Sequence, residues 1–244
     1  MKYTLGILLL ICTISCKSQR SNKTIDNAPE LNTTIGNIDP SSKGDKGNKE
    51  VVRIADYKLE NDVSNLEKAV FAGGCFWCVE ASFQQIEGVV ESISGYSGGH
   101  VDFPSYRLVC KETTGHAEAV FIYYDKNVIT YEELLDVFFV AHDPTTLNRQ
   151  GADIGESYRS AIFPMDDSQR TAANSKIETI NKEKFDNGIV TQVVDYDEFW
   201  VAEAYHQDYF WINPNQSYVA NVSRPKVEKV AKVFKSKLKE KYRR

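Results

Sequence analysis

The chain has 244 residues, a net charge of −5 at neutral pH, 42% hydrophobic residues and 26% charged ones. This is enough apolar material for one substantial core and, with the ends set aside, a length that suits one domain rather than two. The basic residues form no stripe with interleaved aromatics, which leaves nucleic acid out as a partner. The aromatics, 11% of the chain, fall in polar company such as "SYRLVC", "ESYRSAIF" and "AEAYHQDYFW", as pocket-lining residues do.

At the N-terminus, Lys2 supplies a short positive start, Leu5 to Ile11 an apolar run, and Ser15 a small residue directly before Cys16, after which the chain turns polar. The arrangement resembles a bacterial lipoprotein signal, in which cleavage frees Cys16 for lipidation, although Thr13 stands where such signals usually carry Leu. The apolar run falls short of the roughly 20 residues that cross a bilayer. Residues 1–15 are predicted to be a signal peptide and Cys16 a lipid anchor to the membrane, with a plain secreted form as the alternative. Either way the location is extracytoplasmic. Residues 16–66, rich in Ser, Asn, Lys, Asp and Gly, lack the apolar surface to offset their ordering entropy and are predicted to be a flexible tether ahead of a domain at residues 67–220.

"KAVFAGG" reads as a short buried strand stopped by glycines, and "CFWCVEASFQQIEG" as a helix with Phe76, Val79, Phe83 and Ile86 on one face and Gly88 as its stop. Cys75 and Cys78 then sit in its first turn. "VVESISGYSGG" and "HAEAVFIYYD" read as strands. Thr130 with Glu133 forms a capping-box pattern that opens the helix "YEELLDVFFVAHD". The strand "YRSAIFP", a polar helix from about Asp167 to Phe185, the strand "IVTQVVDY", a short aromatic helix around Ala202 to Tyr209 and a Lys-rich helix from Pro225, within residues 221–244, follow. Alternating strands and helices predict an α/β or α+β domain with one sheet covered by helices. The last helix carries Val227, Val230, Phe234 and Leu238 at helical spacing, which suits packing on its own domain or resting on anionic headgroups.

"GGCFWCVE" holds the most chemistry. A structural zinc site needs four ligands, yet the domain's one other cysteine is Cys110, and His100, His116, His142 and His206 show no paired spacing, so no metal is predicted. Cys, Phe and Trp are also common core residues. Against that, a strand-Gly-Gly-helix junction puts Cys75 at a helix N-terminus, where unpaired N–H groups and the helix dipole favour a thiolate. A thioredoxin-type dithiol carries small residues between its cysteines, whereas here Phe76 and Trp77 fill the gap. They make an apolar cup suited to a group as small as a methyl.

Taken together, "GGCFWCVE", "GYSGG", "SYRLVC", "TGHAEAV", "AHDPTTLNRQGADIGESYRSAIF" and "AEAYHQDY" closely resemble peptide methionine sulfoxide reductase A, from about Lys68 to about Tyr218. The resemblance implies a single two-layer α/β (α+β) domain with a mixed sheet, a ferredoxin-like plait. It also implies thiol-dependent reduction of methionine S-sulfoxide, in proteins and free, without metal or bound cofactor. Cys75 matches the nucleophile that becomes a sulfenic acid, Glu118 the acid that protonates the sulfoxide oxygen, and Tyr106 and Tyr158 the hydroxyl donors to it. Asp153 matches a further polar residue of the site, and Phe76 and Trp77 match the residues that hold the S-methyl group. Many members place resolving cysteines near the C-terminus, but no cysteine follows Cys110 here, so the resolving role passes to Cys78. The Cys75–Cys78 disulfide would be recycled by a thioredoxin-like protein. By residue pattern alone, Glu118 reads as the solvent face of a strand, Tyr106 and Tyr158 as half-buried tyrosines, Asp153 as a turn residue and His206 as packing. Cys110 reads as a buried structural thiol. A monomer is expected, and a thiol-disulfide oxidoreductase acting on protein disulfides is the rival reading.

Overall fold

A computed structural model describes residues 50–59 and 61–243; the expected signal peptide, Cys16 and most of the expected tether lie outside the described residues. Strands β1 to β9 are Val52–Arg53, Glu67–Gly73, Val89–Ser97, Ala117–Tyr124, Arg149–Gln150, Asp153–Ile154, Ser160–Ile162, Gln192–Val193 and Phe199–Val201. Helices α1 to α6 are Phe76–Gln84, Tyr106–Val109, Tyr131–Ala141, Asp167–Lys184, Tyr209–Ile212 and Arg224–Val233. The main sheet runs β1-β9-β3-β4-β2-β7-β8. All of its pairs are antiparallel except β7 with β8. Its centre, β3-β4-β2-β7 with α1 and α3 as crossovers, has the strand order of a ferredoxin-like plait.

The elements form where local chemistry asks for them. β4 is buried along its whole length, which suits its run of Ala, Val, Phe, Ile and Tyr. The Thr130 hydroxyl accepts the Glu133 N–H at 3.2 Å while the Glu133 carboxylate accepts the Thr130 N–H at 2.9 Å, closing the capping box that starts α3. Phe71 from β2 stacks on Phe83 of α1 and Phe138 of α3, at 5.5 and 5.0 Å between ring centres, and anchors the helix layer to the sheet. Val227 and Val230 are buried, so α6 packs on its own domain, but the helix expected to carry Leu238 ends at Val233; a 3-10 turn, Lys235–Lys237, follows, and Leu238 forms a bridge to Ile86.

Several expectations need correction. The expected tether reached residue 66, but β1 pairs with β9, Val51 and Ile54 are buried, and Tyr57, Leu59, Val63 and Leu66 pack over Val70, Ala72, Phe121 and Phe163. A sheet apolar on both faces needs a second cover, and this strap supplies it with widely spaced apolar residues that polar neighbours conceal in the sequence. Phe199–Val201, between the expected strand and the aromatic helix, is a strand, and "IVTQVVDY" keeps only Gln192–Val193 in the sheet. The aromatic helix is a 3-10 turn, Ala204–His206, then α5, with Asp208 at φ 54° between them. A π-turn, Val219–Ser223, precedes α6.

Candidate active site

β2 ends in Gly73, and Gly74 turns the chain at φ +86°, where a Cβ would come within 2.5 Å of Gln150. Only glycine meets both demands. Cys75 then caps α1: its carbonyl accepts the N–H of Cys78 at 3.1 Å and of Val79 at 3.4 Å. The N–H of Phe76, still free in the first turn, donates to Glu118 Oε2 at 3.0 Å. A cavity of about 280 Å³ opens beside this turn, lined by Cys75, Phe76, Trp77, Tyr106, Glu118, Asp153, Tyr158, Gln216 and Tyr218. All seven residues expected at the substrate are therefore brought together from α1, β4, the start of α2, the β5–β6 hairpin and the turn after it. Cys78 shares the helical turn but lies behind the cavity, only 1% exposed.

Glu118 is 2% exposed, so it is not on a solvent face. Burial raises its pKa to about 8, the Phe76 N–H opposing and the charges of Asp153 and Cys78 reinforcing. Below pH 8 it is a carboxylic acid. With one oxygen accepting from Phe76, the other oxygen bears the proton. Tyr106, Tyr158 and Tyr218 are pushed far above the ordinary phenol value, chiefly by burial, and stay O–H donors. Tyr218 donates to Asp153.

The thiols differ from expectation. Burial drives the Cys75 thiol well above its ordinary value, with Cys78 and Glu118 adding and the Tyr218 hydroxyl opposing. Cys78 is instead lowered to about 7, first by the hydrogen bond from Cys75, with burial opposing and Lys226 and Ser223 assisting. The helix N-terminus does not ionise Cys75, because burial of the thiol outweighs it and the nearest first-turn N–H is committed to Glu118.

A second layer holds the cup. The Trp77 indole N–H donates to His206 Nδ1 at 3.1 Å, and the indole stacks on Tyr209 at 3.9 Å and 13°. Burial lowers His206 to about 4, so it is neutral and, accepting at Nδ1, carries its hydrogen on Nε2. Glu203 accepts from the Tyr96 hydroxyl and the Tyr106 N–H, both at 2.9 Å, and Glu112 accepts from Ser157 N–H at 2.9 Å, fixing the turn that presents Tyr158. Sequence reasoning missed Tyr218, Gln216 and the orienting role of His206, although "AEAYHQDY" did mark an aromatic cluster there. Cys110, expected to be buried, is exposed beside the Tyr106 hydroxyl, because the one-turn α2 ends at the rim. Among the described residues no group of three or more His, Cys, Asp or Glu could hold a metal ion.

An apolar cup, a protonated carboxyl, phenol donors and a thiol converge on one small volume. The set suits a compact dipolar group with a methyl on one side and an oxygen needing protons on the other. The family model described as peptide methionine sulfoxide reductase matches residues 67–238. The chain is 50% identical over 172 residues to the peptide methionine sulfoxide reductase MsrA of Haloquadratum walsbyi, covering 70% of this chain and 98% of that one. It is 51% identical over 173 residues to MsrA 1 of Rhodopirellula baltica, covering 71% and 90%. Among solved structures it is similar to methionine sulfoxide reductase A of Corynebacterium diphtheriae, with TM-score 0.61, 32% identity and 65% and 80% of the two chains covered. It is also similar to reduced Mxr1 of Saccharomyces cerevisiae, with TM-score 0.59, 35% identity and 65% and 92% covered.

Proposed function

The chain belongs to the peptide methionine sulfoxide reductase family, and from its pocket we propose how it reduces methionine S-sulfoxide to methionine, in proteins and as the free amino acid. The observation that carries this reading is the buried Glu118 carboxyl, kept protonated to about pH 8 beside the Cys75 sulfur. Disulfide exchange on proteins has no oxygen to protonate and needs no methyl-sized cup with phenol donors around it.

Phe76 and Trp77 enclose the S-methyl group, while Tyr106, Tyr158 and Glu118 hydrogen-bond the sulfoxide oxygen. Glu118 gives that oxygen its proton and takes the Cys75 proton in return, so the thiolate forms only as substrate is polarised. This suits a thiol that rests protonated. Asp153 orients the Tyr218 hydroxyl. The sulfur–oxygen bond of the substrate breaks, methionine leaves, and Cys75 becomes a sulfenic acid: thiol plus sulfoxide gives sulfenic acid plus sulfide. Cys78 resolves it to a Cys75–Cys78 disulfide, for which the first turn of α1 loosens, and a thioredoxin-like dithiol restores both thiols.

The N-terminal pattern supports an extracytoplasmic, membrane-anchored lipoprotein with Cys16 as anchor, where electrons come from a membrane carrier or an extracytoplasmic thioredoxin-like protein. Mass spectrometry of the mature N-terminus checks this: acylated Cys16 is expected, and an unmodified start overturns the anchor. For the activity, the protein is mixed with a peptide bearing both sulfoxide epimers and dithiothreitol. Loss of the S epimer alone is expected; equal persistence of both would remove the proposal.

A further inference from the structure

Cys78 faces away from the pocket, toward the C-terminal helix. Its sulfur lies 3.2 Å from the Oγ of Ser223, a fully buried residue. Three residues on, and so on the same helical face, the Lys226 ammonium has no accessible surface and no hydrogen-bond partner among the described residues. Its charge reaches Cys78 and His142. The π-turn Val219–Ser223 makes this placement: closing i to i+5, it stacks Ser223 nearly beneath Tyr218, where an α-turn would set them well apart around the axis. Tyr218 thereby borders the pocket while Ser223 and Lys226 border the back of the same cysteine pair.

A buried ammonium without a partner is destabilising unless negative charge sits opposite. The groups around it leave few candidates. His142 is neutral, lowered to about 4 by burial, and its ring is engaged by Phe138 O and Ser160 Oγ, both at 2.7 Å. Asp143 lines the same surface cleft as Lys226, but its carboxylate is taken up by the Thr145 N–H at 2.9 Å and hydroxyl at 2.6 Å and by the charge of Lys229. Glu118 and Asp153 face the cysteines from the pocket, and Tyr218 and Cys75 keep their protons. Of the two groups that the Lys226 charge reaches, His142 is neutral, which leaves the Cys78 sulfur, held on its other side by Ser223.

Resting on the resolving role proposed above for Cys78, we infer that Lys226 and Ser223 are positioning residues for the second half of the reaction, holding the Cys78 sulfur as the thiolate that attacks the sulfenic acid. The Cys78 sulfur bonds to the Cys75 sulfur, the Cys75 sulfur–oxygen bond breaks, and the hydroxide leaves as water on taking the Glu118 proton. Cys78 is oxidised and the sulfenic sulfur reduced, so no outside oxidant enters. In the thiolate state the Ser223 hydroxyl turns to donate to the sulfur, and Lys226 becomes its counter-charge.

The test separates the two half-reactions by rapid quench of one turnover with a sulfoxide peptide, across pH, in the Lys226→Met, Lys226→Arg, Ser223→Ala and Cys78→Ser proteins. Methionine released in the first turnover reports the pocket and the fold. Disulfide formation, read as loss of dimedone-reactive sulfenic acid, reports Cys78. In Lys226→Met this second step is expected to be about ten-fold slower at neutral pH, with its midpoint raised by about one unit, and Lys226→Arg keeps the midpoint low. An unmoved midpoint in Lys226→Met overturns the inference. If that variant loses the first turnover through misfolding, Ser223→Ala carries the same measurement with a smaller upward shift, and no shift there overturns it equally. Should Cys78→Ser still resolve its sulfenic acid and cycle with thioredoxin, the resolving role itself fails. If Cys78→Ser stops cycling while Lys226→Met leaves the midpoint in place, the inference alone fails.

Discussion

The two sides of the first turn of α1 treat protons in opposite ways. On the pocket side, burial and neighbouring acids keep protons in place: Glu118 holds its own to about pH 8, and the Cys75 thiol and three phenols hold theirs higher still. On the far side Cys78 comes down to about 7, first through the hydrogen bond from Cys75, with the Lys226 ammonium and the Ser223 hydroxyl assisting against burial. Two sulfurs three residues apart are thus pushed in opposite directions, by each other as well as by their surroundings. Helix position favours Cys75 as the thiolate, yet desolvation outweighs it by enough to reverse the order. A Cys-x-x-Cys motif therefore does not assign its own roles.

Cys75→Ser should break the pocket side completely, with no methionine formed from either epimer above background. Cys78→Ser should break only the far side: one equivalent of methionine per protein, then arrest with thioredoxin as reductant, measured as burst without steady state. Glu118→Gln should slow the first turnover by about 10²- to 10⁴-fold. The same variant sharpens the contrast through stability. The Glu118 pKa rises from 4.5 unfolded to about 8 folded, so wild-type stability falls as pH climbs through that interval. The Gln protein lacks this loss, and denaturant melts from pH 5 to 9 should show the gap opening and then levelling. In the wild type, cycling should rise with pH through about 7 as Cys78 ionises and fall through about 8 as Glu118 does, giving a narrow bell whose limbs belong to the two sides. Smallest, Tyr218→Phe removes the hydroxyl shared by Asp153 and Cys75 and should slow the first turnover about ten-fold, a loss of about 1.4 kcal/mol, read in kcat/KM.

Much of this was legible because it is local. The glycines before Cys75, the apolar face Phe76, Val79, Phe83 and Ile86, and the Thr130–Glu133 box each decide structure within a few residues of themselves. Glu118, Tyr106, Tyr158 and Asp153 were found through family motifs, because an alternating strand cannot say which of its faces is dry. The rest depends on partners far along the chain. Trp77 meets His206 across 129 residues and Cys78 meets Ser223 across 145, and the π-turn that permits the second contact leaves no periodic trace. β1 is only two residues long and exists because β9 offers it an edge. Cys110 follows an apolar stretch, yet its helix is a single turn, too short to bury its end.

The Cys75 sulfur forms the floor of the cavity, and Cys78 is sealed behind it. Under the proposed cycle, an incoming dithiol must enter by the route the damaged methionine has just vacated. The two visitors exclude one another in time, so double-reciprocal plots at several reductant concentrations should run parallel. Because the better leaving thiolate is the inner one, the transient cross-link to the reductant forms on Cys75.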